Sequence, residues 1–314
     1  MAIGVIAALA LWFAMGSLIV RQRIPSFIIT LGGLLVFKGL FWRVIANRTV
    51  PVAVGGQSNL LAMLTTYYLP PVAGYVLAAV VIAGLVIAKL RGNRARRAYG
   101  LASDDREMVF LQLFLAAQLL LLFVVVTNQF RGVPLPALIL AAVAVLAWLL
   151  THHTAFGRYL YAIGGNEEAA IVSGIPVKQV TITAFVLMGA VVAITGFMQT
   201  AYGGASTTTV GELMELDAVA ACVIGGVSLK GGRGSVLGVL FGALIMACLI
   251  NGMTLLAVEP ENKFVARGAV LILAVWMDVR LGRLFKSDQE FPARPIWPGA
   301  STTPASPDNR LRRE

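Results

Sequence analysis

The sequence predicts an all-α fold, a polytopic transmembrane helical bundle of about nine membrane segments that include broken or half-length helices. Two observations carry this prediction. Hydrophobic residues make up 58% of the 314 residues and charged residues only 13%, whereas a soluble domain typically carries about 25% charged residues. The apolar residues are also grouped in windows long enough to cross a bilayer, which takes about 17 to 25 residues in a helix.

Eight strong apolar windows follow one another along the chain, and a ninth is weaker. The strong windows cover residues 2–20, 26–46, 70–88, 108–127, 134–151, 182–201, 235–257 and 264–281, and the weaker window, which contains acidic residues, covers 212–228. The other segments are short loops, a long basic loop at 89–107 and a polar loop at about 152–181. We therefore expect one transmembrane domain over residues 1–286. The proline-rich residues 287–314 are expected to be a disordered cytoplasmic tail.

The distribution of Lys and Arg predicts the orientation of the bundle. If all nine windows cross, 19 of the 25 Lys and Arg residues fall on the side of the C-terminal tail and four on the other side. Because basic residues are enriched in cytoplasmic loops, the C-terminus and the loop 152–181 are expected in the cytoplasm. This count leaves Met1 outside, without a flanking anchor. We expect that one or more helices are missing upstream, with a natural N-out protein as the alternative.

The stretch GGNEEAAIVSGIPV, residues 164–177, is the longest polar interruption in the second half of the chain. It contains a short helical pattern that begins with two glutamates, Glu167 and Glu168, and ends at Gly174 and Pro176. Acidic residues are favoured in the first turn of a helix because the helix dipole is positive there. A helix this short has nothing apolar to pack on within its own loop. It is therefore either a docking element for another protein or an ordinary surface loop.

Acidic residues open the weaker window, at Glu212, Glu215 and Asp217. Ionisable groups at membrane depth are costly and usually face a cavity or a partner. The alternative, which is compatible with the first, is that these acids cap the N-terminus of a half-length helix. On the same grounds of depth and polarity, Thr30, Glu215, Asp217 and Asn251 are the candidates for a translocation path. Lys38 is expected to snorkel or to pair with an acid such as Asp217.

The glycine-rich stretch GGVSLKGGRGS that follows is expected to form a tight turn between two helices. It is not a nucleotide-binding loop, because the chain contains no Gly-Lys-Ser or Gly-Lys-Thr sequence. Gly234, Gly238 and Gly242 then recur every four residues. This spacing predicts three glycines on one helix face, which allows a neighbouring helix to approach closely.

The sequence offers no arrangement of residues for catalysis or for metal binding. It contains neither a Ser/His/Asp set nor paired catalytic carboxylates, and its two cysteines, Cys222 and Cys248, lie in apolar stretches without metal-ligand spacing. The formal net charge of +10 comes from loops between apolar windows, so membrane orientation explains it better than nucleic-acid binding. We therefore expect a membrane protein that contacts lipid and is not an enzyme.

Several stretches resemble the sugar permeases of bacterial ATP-binding cassette (ABC) importers, in the group for ribose, galactose and xylose. These stretches are IPSFIITLGGLLVFKGL, AFGRYLYAIGGNEEAAIVSGI, ELDAVAACVIGGVSLKGGRGSVLGVLFGALIMACLINGM and GAVLILAVWMD. The resemblance extends to about Arg283, and RGVPLP at residues 131–136 is most similar to the D-xylose members. Family members are usually longer at the N-terminus, in agreement with the expectation of missing helices.

The resemblance implies a permease of the bacterial cytoplasmic (inner) membrane that moves a monosaccharide, D-xylose or a related pentose, into the cytoplasm. It also implies a second permease copy, two ATPase subunits and a periplasmic sugar-binding protein. ATP would be used by the ATPase subunits, so no cofactor is expected in this chain. The loop that couples such permeases to their ATPase maps onto Asn166, Glu167, Glu168, Ala169, Ala170 and Gly174.

Two alternatives to a sugar importer stay open on the sequence. A branched-chain amino-acid permease has the same architecture, but the wording of ELDAVAACVIGG and AVWMD is closer to the sugar group. A secondary transporter driven by an ion gradient would need ionisable groups in mid-membrane. This chain has most of its intramembrane acids in one short stretch, which counts against that class.

Overall fold

The computed structural model describes residues 1–46, 48–53, 59–98 and 106–287. These residues form a helical protein, which confirms the predicted all-α fold. In chain order the elements are α1 (Ala2–Gln22), α2 (Ser26–Ile45), β1 (Val50–Pro51), α3 (Leu60–Thr66), α4 (Pro71–Ala98), α5 (Arg106–Phe130), α6 (Leu135–His153), α7 (Ala155–Gly165), α8 (Glu167–Val172), α9 (Val177–Gly203), β2 (Ala205–Ser206), α10 (Met214–Ile224), α11 (Val236–Leu255) and α12 (Pro260–Ser287). The predicted tail falls almost wholly on residues 288–314, which lie outside the described residues.

Seven of the described helices are long and apolar enough to cross a membrane: α1, α2, α4, α5, α6, α9 and α11. The predicted number of about nine was therefore approximate. Of the two other predicted segments, the one at 264–281 lies in α12, where Arg267, Asp278 and Arg280 interrupt the apolar residues. The weaker window at 212–228 forms α10, which has only 11 residues. A helix of that length is about 16 Å long, half of the hydrocarbon thickness, and so matches the expectation of half-length helices.

The basic loop predicted at 89–107 is shorter than expected, because α4 continues through its basic residues to Ala98. Lys, Arg and Ala are good helix formers, so the helix does not have to end where its apolar window ends. The hydropathy pattern located the crossing but not the end of the helix. Residues 99–105 lie outside the described residues.

The chain divides into two compact units. Unit 1 contains Met1–Glu215 and Leu229–Val236, and unit 2 contains Leu216–Ser228 and the described residues from Leu237 onward. The segment Leu229–Val236 thus belongs to unit 1, although most of α10 and of α11 on either side of it belongs to unit 2. The prediction of one permease domain over residues 1–286 stays a prediction.

In unit 1, α1 packs along α9 through a combination of glycines and aromatic rings. The Trp12 and Phe185 rings lie with their centroids 5.9 Å apart. A Cβ atom on Gly16 would lie 2.9 Å from Cβ of Phe185, and one on Gly189 would lie 2.8 Å from Cβ of Trp12. Small residues at these positions let the two helices approach closely, which is the usual packing device between membrane helices.

Unit 1 also contains a buried apolar cluster and a short strand pair. Ala78 of α4, Val124 of α5 and Val133, just before α6, form a buried apolar cluster. The strands β1 and β2 pair antiparallel, with Val50 opposite Ser206. This pairing joins the segment after α2 to the segment after α9.

Unit 2 is organised around the half-length helix. Ala220 and Ala221 of α10 and Met246 of α11 are buried together, and Val270 and Leu271 of α12 pack against them. The two alanines have small side chains, so that α11 can lie close to α10.

Candidate functional site

The predicted docking element forms a helix-turn in which α7 leads directly into α8. Asn166 is the N-cap of α8, and its side-chain oxygen accepts a hydrogen bond from the Ala169 backbone N–H at 3.0 Å. Glu167 and Glu168 occupy the first turn, where their charge complements the positive end of the helix dipole. The start of α8 is therefore determined by residues next to it in the sequence, an N-cap asparagine and two acidic first-turn residues.

Gly174 terminates the helix-turn. Its φ of 77° is in the left-handed region, which glycine adopts without the steric cost of a Cβ atom. The backbone N–H of Gly174 donates to the Ile171 carbonyl at 3.0 Å, and that of Ile175 donates to the Ala170 carbonyl at 3.1 Å. These bonds satisfy carbonyl groups that the end of a helix would leave free.

The structure corrects the expectation that this helix-turn lacks an internal packing partner. Ala170 is buried, and α8 contacts both α7 and α9. The other residues of the predicted coupling set are exposed, namely Asn166, Glu167, Glu168, Ala169 and Gly174. One side of α8 thus anchors it on unit 1, while its charged first turn faces outward.

Two exposed apolar residues on α8 were not among the predicted coupling residues. Ile171 and Val172 have 57% and 89% of their surface exposed, and we call them the α8 patch. Both lie between the capping residues, so their apolar character is not needed to start or to end the helix. The only signal in the sequence was an apolar pair in a polar loop.

The glycine-rich turn lies against the end of α7, within unit 1. The Tyr161 hydroxyl donates a hydrogen bond to the Gly234 carbonyl at 3.0 Å. A Cβ atom on Gly164 would collide with the backbone nitrogen of Gly232. Conversely, one on Gly231 would lie 2.7 Å from the carbonyl oxygen of Gly164. The two backbones touch directly at Gly164, three residues before α8 begins.

This contact predicts a sharp difference between two adjacent glycines of α7. Gly164→Ala is expected to destabilise the protein by about 1 to 3 kcal/mol, because the obstacle is backbone and cannot rotate away. Gly165→Ala is the matched control, since a Cβ atom there would meet nothing within 4 Å. The midpoint of thermal unfolding of the purified chain in lipid nanodiscs measures both effects. Equal midpoints for the two variants would contradict the contact.

The three predicted packing glycines are not equivalent. Because α11 begins at Val236, Gly234 lies in the turn before the helix and not on its face, which corrects the prediction for this residue. Gly238 and Gly242 lie within α11, where Gly242 approaches α10 and Gly238 approaches Gly225, the residue that follows α10. A Cβ atom on Gly242 would collide with the Ala221 carbonyl oxygen, and one on Gly225 would lie 2.6 Å from the Gly238 carbonyl carbon. The four-residue spacing of the glycines extends upstream of α11. The sequence spacing alone does not show where the helix begins.

The four candidates for the translocation path have different surroundings. Thr30 donates its hydroxyl to carbonyls of its own helix, those of Ser26 at 3.0 Å and Phe27 at 3.1 Å. Glu215, at the start of α10, and Asn251, on α11, are exposed. The path role of all four, Asp217 included, stays a prediction.

Asp217 forms an ion pair that the sequence did not indicate. Its Oδ1 lies 3.5 Å from Nε of Arg267 on α12, and the side chains are 20% and 23% exposed. Both residues belong to unit 2. The pair therefore ties the half-length helix to α12 at a position that is largely removed from solvent.

Lys38 forms a second ion pair, in unit 1. Its Nζ lies 3.3 Å from Oε1 of Glu212, in the segment between β2 and α10. The sequence suggested snorkelling or a pair with Asp217. It named the right kind of partner but the wrong acid, because the turn before α10 brings Glu212 to α2 while Asp217 pairs with Arg267.

In the described part of the chain, no group of three or more His, Cys, Asp or Glu residues could hold a metal ion.

Comparison with known proteins defines the class to which this fold and helix-turn belong. A family model described as "Branched-chain amino acid transport system / permease component" matches residues 1–275. The chain belongs to this permease family, and with its seven candidate spans it is a multi-pass membrane protein. No solved structure matches the chain.

Sugar permeases are among the relatives of the chain. The chain is 40% identical over 257 residues to the xylose transport system permease protein XylH of Haemophilus influenzae, a match that covers 82% of this chain and 68% of that protein. It is also 40% identical to XylH of Escherichia coli K12, with 82% of this chain and 64% of the relative covered. The ribose import permease protein RbsC of Bacillus subtilis is 44% identical over 151 residues, which cover 48% of this chain and 47% of that one.

Proposed function

We propose that this chain is the membrane-spanning permease subunit of an ABC importer that moves a monosaccharide, D-xylose or a related pentose, into the cytoplasm. The observation that carries the proposal is the identity of 40% with xylose permeases over 82% of the chain. The match to a ribose permease, over a shorter region, supports the broader class of pentoses.

ATP hydrolysis is proposed to take place on two separate ATPase subunits, and this chain is proposed to have no catalytic activity or cofactor of its own. The absence of a Gly-Lys-Ser or Gly-Lys-Thr sequence supports this division of labour. A second copy of the chain would complete the pore, and a periplasmic binding protein would deliver the sugar. The helix-turn at Asn166–Gly174 is proposed to receive the ATPase. Its exposed glutamates and exposed α8 patch support that role.

The proposed location is the bacterial cytoplasmic (inner) membrane, with the C-terminus in the cytoplasm. The Lys and Arg count of 19 against four supports this orientation. In this orientation α8 would lie on the side of the membrane where ATP is available. A cysteine introduced for Ser173, which is exposed in the turn after α8, would test the orientation in a variant whose own Cys222 and Cys248 are replaced by alanine. The proposal requires that this cysteine reacts with a membrane-impermeant maleimide only in inside-out vesicles.

A sugar is favoured over a branched-chain amino acid as the cargo. The family description names branched-chain amino-acid transport, but the relatives that match over most of the chain are xylose permeases. The two cargoes differ in chemistry, since a pentose offers hydroxyl groups and no charged group, whereas an amino acid carries a carboxylate and an ammonium group. Transport assays can therefore separate the two possibilities directly.

The test is sugar uptake by proteoliposomes that contain the chain and its ATPase. A periplasmic xylose-binding protein is added on the side of the membrane opposite to the ATPase. We expect accumulation of labelled xylose that needs ATP and the binding protein and that leucine does not compete away. Accumulation of leucine instead of xylose, with the matching binding protein, would assign the chain to amino-acid transport. Xylose uptake without ATP under an imposed ion gradient would assign it to the secondary transporters.

A further inference from the structure

Lys38 places a positive charge inside a helix that is otherwise apolar enough to span the membrane. It lies on α2, seven residues before the end of the helix at Ile45. At the rise of a helix, this separation puts it about 10 Å from that end. Charged residues at such depth are costly unless they face a partner or a water-filled space. Lys38 has such a partner in Glu212.

The exposure of this ion pair differs from that of the pair between Asp217 and Arg267. The Lys38 and Glu212 side chains are 45% and 47% exposed, whereas Asp217 and Arg267 are 20% and 23% exposed. Lys38 and Glu212 thus satisfy each other at one contact and leave about half of each side chain open. A charged pair in a span can remain open in this way if it faces a hydrated space.

An aromatic ring lies beside the pair on the same helix face. Trp42 follows Lys38 by one helical turn, its ring centroid is 6.0 Å from the lysine Nζ, and 51% of its surface is exposed. The three side chains together offer a flat apolar ring, a hydrogen-bond donor and a hydrogen-bond acceptor. All three lie in unit 1.

We propose that Lys38, Trp42 and Glu212 form a contact site for the transported sugar on the translocation path. This inference rests on the proposed function and adds the residues that touch the cargo. Sugar hydroxyl groups would donate hydrogen bonds to the Glu212 carboxylate and accept them from the Lys38 ammonium group. The C–H face of the sugar ring would pack on the indole of Trp42.

The balance of charge in the site favours a ligand without net charge over an anion or a cation. One ammonium group and one carboxylate sum to no net charge, so the site would neither hold an anion nor hold a cation strongly. The site can still replace some of its hydrogen bonds to water with hydrogen bonds to a polyhydroxylated molecule. A neutral monosaccharide fits this chemistry better than an ion does.

The first test separates sugar contact from a purely structural ion pair. Lys38→Met and Glu212→Gln are each expected to lower the maximal rate of ATP-driven xylose uptake by about tenfold, the effect of losing a charged hydrogen bond. The exchanged double variant Lys38→Glu/Glu212→Lys restores an ion pair but exchanges the donor and the acceptor that the sugar meets. Transport should therefore stay low in this variant. Full recovery of transport would overturn the proposal, because a structural pair needs only opposite charges.

The second test uses Trp42, which is outside the ion pair. Trp42→Phe, which keeps a ring, should retain most of the transport rate, whereas Trp42→Leu should lose about tenfold, in line with the loss of an aromatic packing surface. Phe27→Leu is the matched control, because Phe27 is a 72% exposed aromatic residue elsewhere on α2. Equal rates for Trp42→Leu and wild type, at equal amounts of protein in the membrane, would overturn the proposal.

The two tests also distinguish this inference from the proposed function. If wild type imports xylose with ATP but these variants do so equally well, the contact site is wrong and the permease assignment stands. If wild type itself imports leucine or needs no ATP, the proposed function fails, whatever the variants do. Each variant is compared by its amount and unfolding midpoint in the same liposomes, so that a folding defect is not counted as lost contact.

Discussion

Replacing both residues of the α8 patch with aspartate, Ile171→Asp/Val172→Asp, is expected to abolish ATP-driven sugar uptake while the chain still folds and inserts. The two side chains are 57% and 89% exposed, so the folded chain gains little from their burial. In the proposed importer they lie where the ATPase docks. Two carboxylates in that interface would lose apolar contact and would have to be desolvated, a combination that costs several kcal/mol.

The measurement has two parts, co-purification of the ATPase and uptake in proteoliposomes. We expect loss of both, and a rate lowered by at least about 100-fold, as for the removal of an interface hot spot. Leu255→Asp/Leu256→Asp is the matched control, since these leucines are adjacent and 87% and 78% exposed, and the predicted orientation places them on the other side of the membrane. If the α8 variant retains its ATPase and its uptake, the α8 patch is not the docking surface.

The sequence predicted the helix-turn well because its determinants are local. The cap at Asn166, the acidic first turn and the left-handed Gly174 lie within nine residues of one another, and each acts on its nearest neighbours in the chain. Likewise, the apolar windows predicted the helices because a span depends on its own composition. Which residues of α8 face outward was not predictable, because that depends on α7 and α9. Ala170 is buried there while the more apolar Val172 is exposed.

Contacts between distant parts of the chain were the other limit of sequence reasoning. Lys38 and Glu212 are 174 positions apart, and nothing in the order of residues gives the angle at which α2 meets the turn before α10. Gly164 and Gly232 are in the same situation, since each looked like an ordinary loop glycine. Their meaning comes from the close backbone approach of two segments. The hydropathy pattern identified the membrane helices, but it carries no information about which pairs of them touch.

Asp217→Asn and Arg267→Gln are each expected to destabilise the folded chain by about 3 to 5 kcal/mol, the largest effect on stability among the changes considered. Asp217→Asn leaves the Arg267 guanidinium largely buried without its ion-pair partner, and Arg267→Gln removes the opposite charge beside the Asp217 carboxylate. The side chains are only 20% and 23% exposed, so solvent screens the remaining charge weakly. The midpoint of thermal unfolding in nanodiscs measures the loss. Glu215→Gln, an exposed acid two residues before Asp217, is the control and should change stability by less than about 0.5 kcal/mol.

The double variant Asp217→Asn/Arg267→Gln decides what the pair does. Removing both charges together leaves neither charge of this pair in the interior, so stability should return to within about 1 kcal/mol of wild type or exceed it. A pair that serves only to join α10 to α12 would then also regain transport. If Asp217 lines the path, as the sequence predicts, the double variant would be stable but slow, because the lost carboxylate is needed by the cargo as well as by Arg267. Single variants as stable as wild type would show that the ion pair does not hold the half-length helix in place.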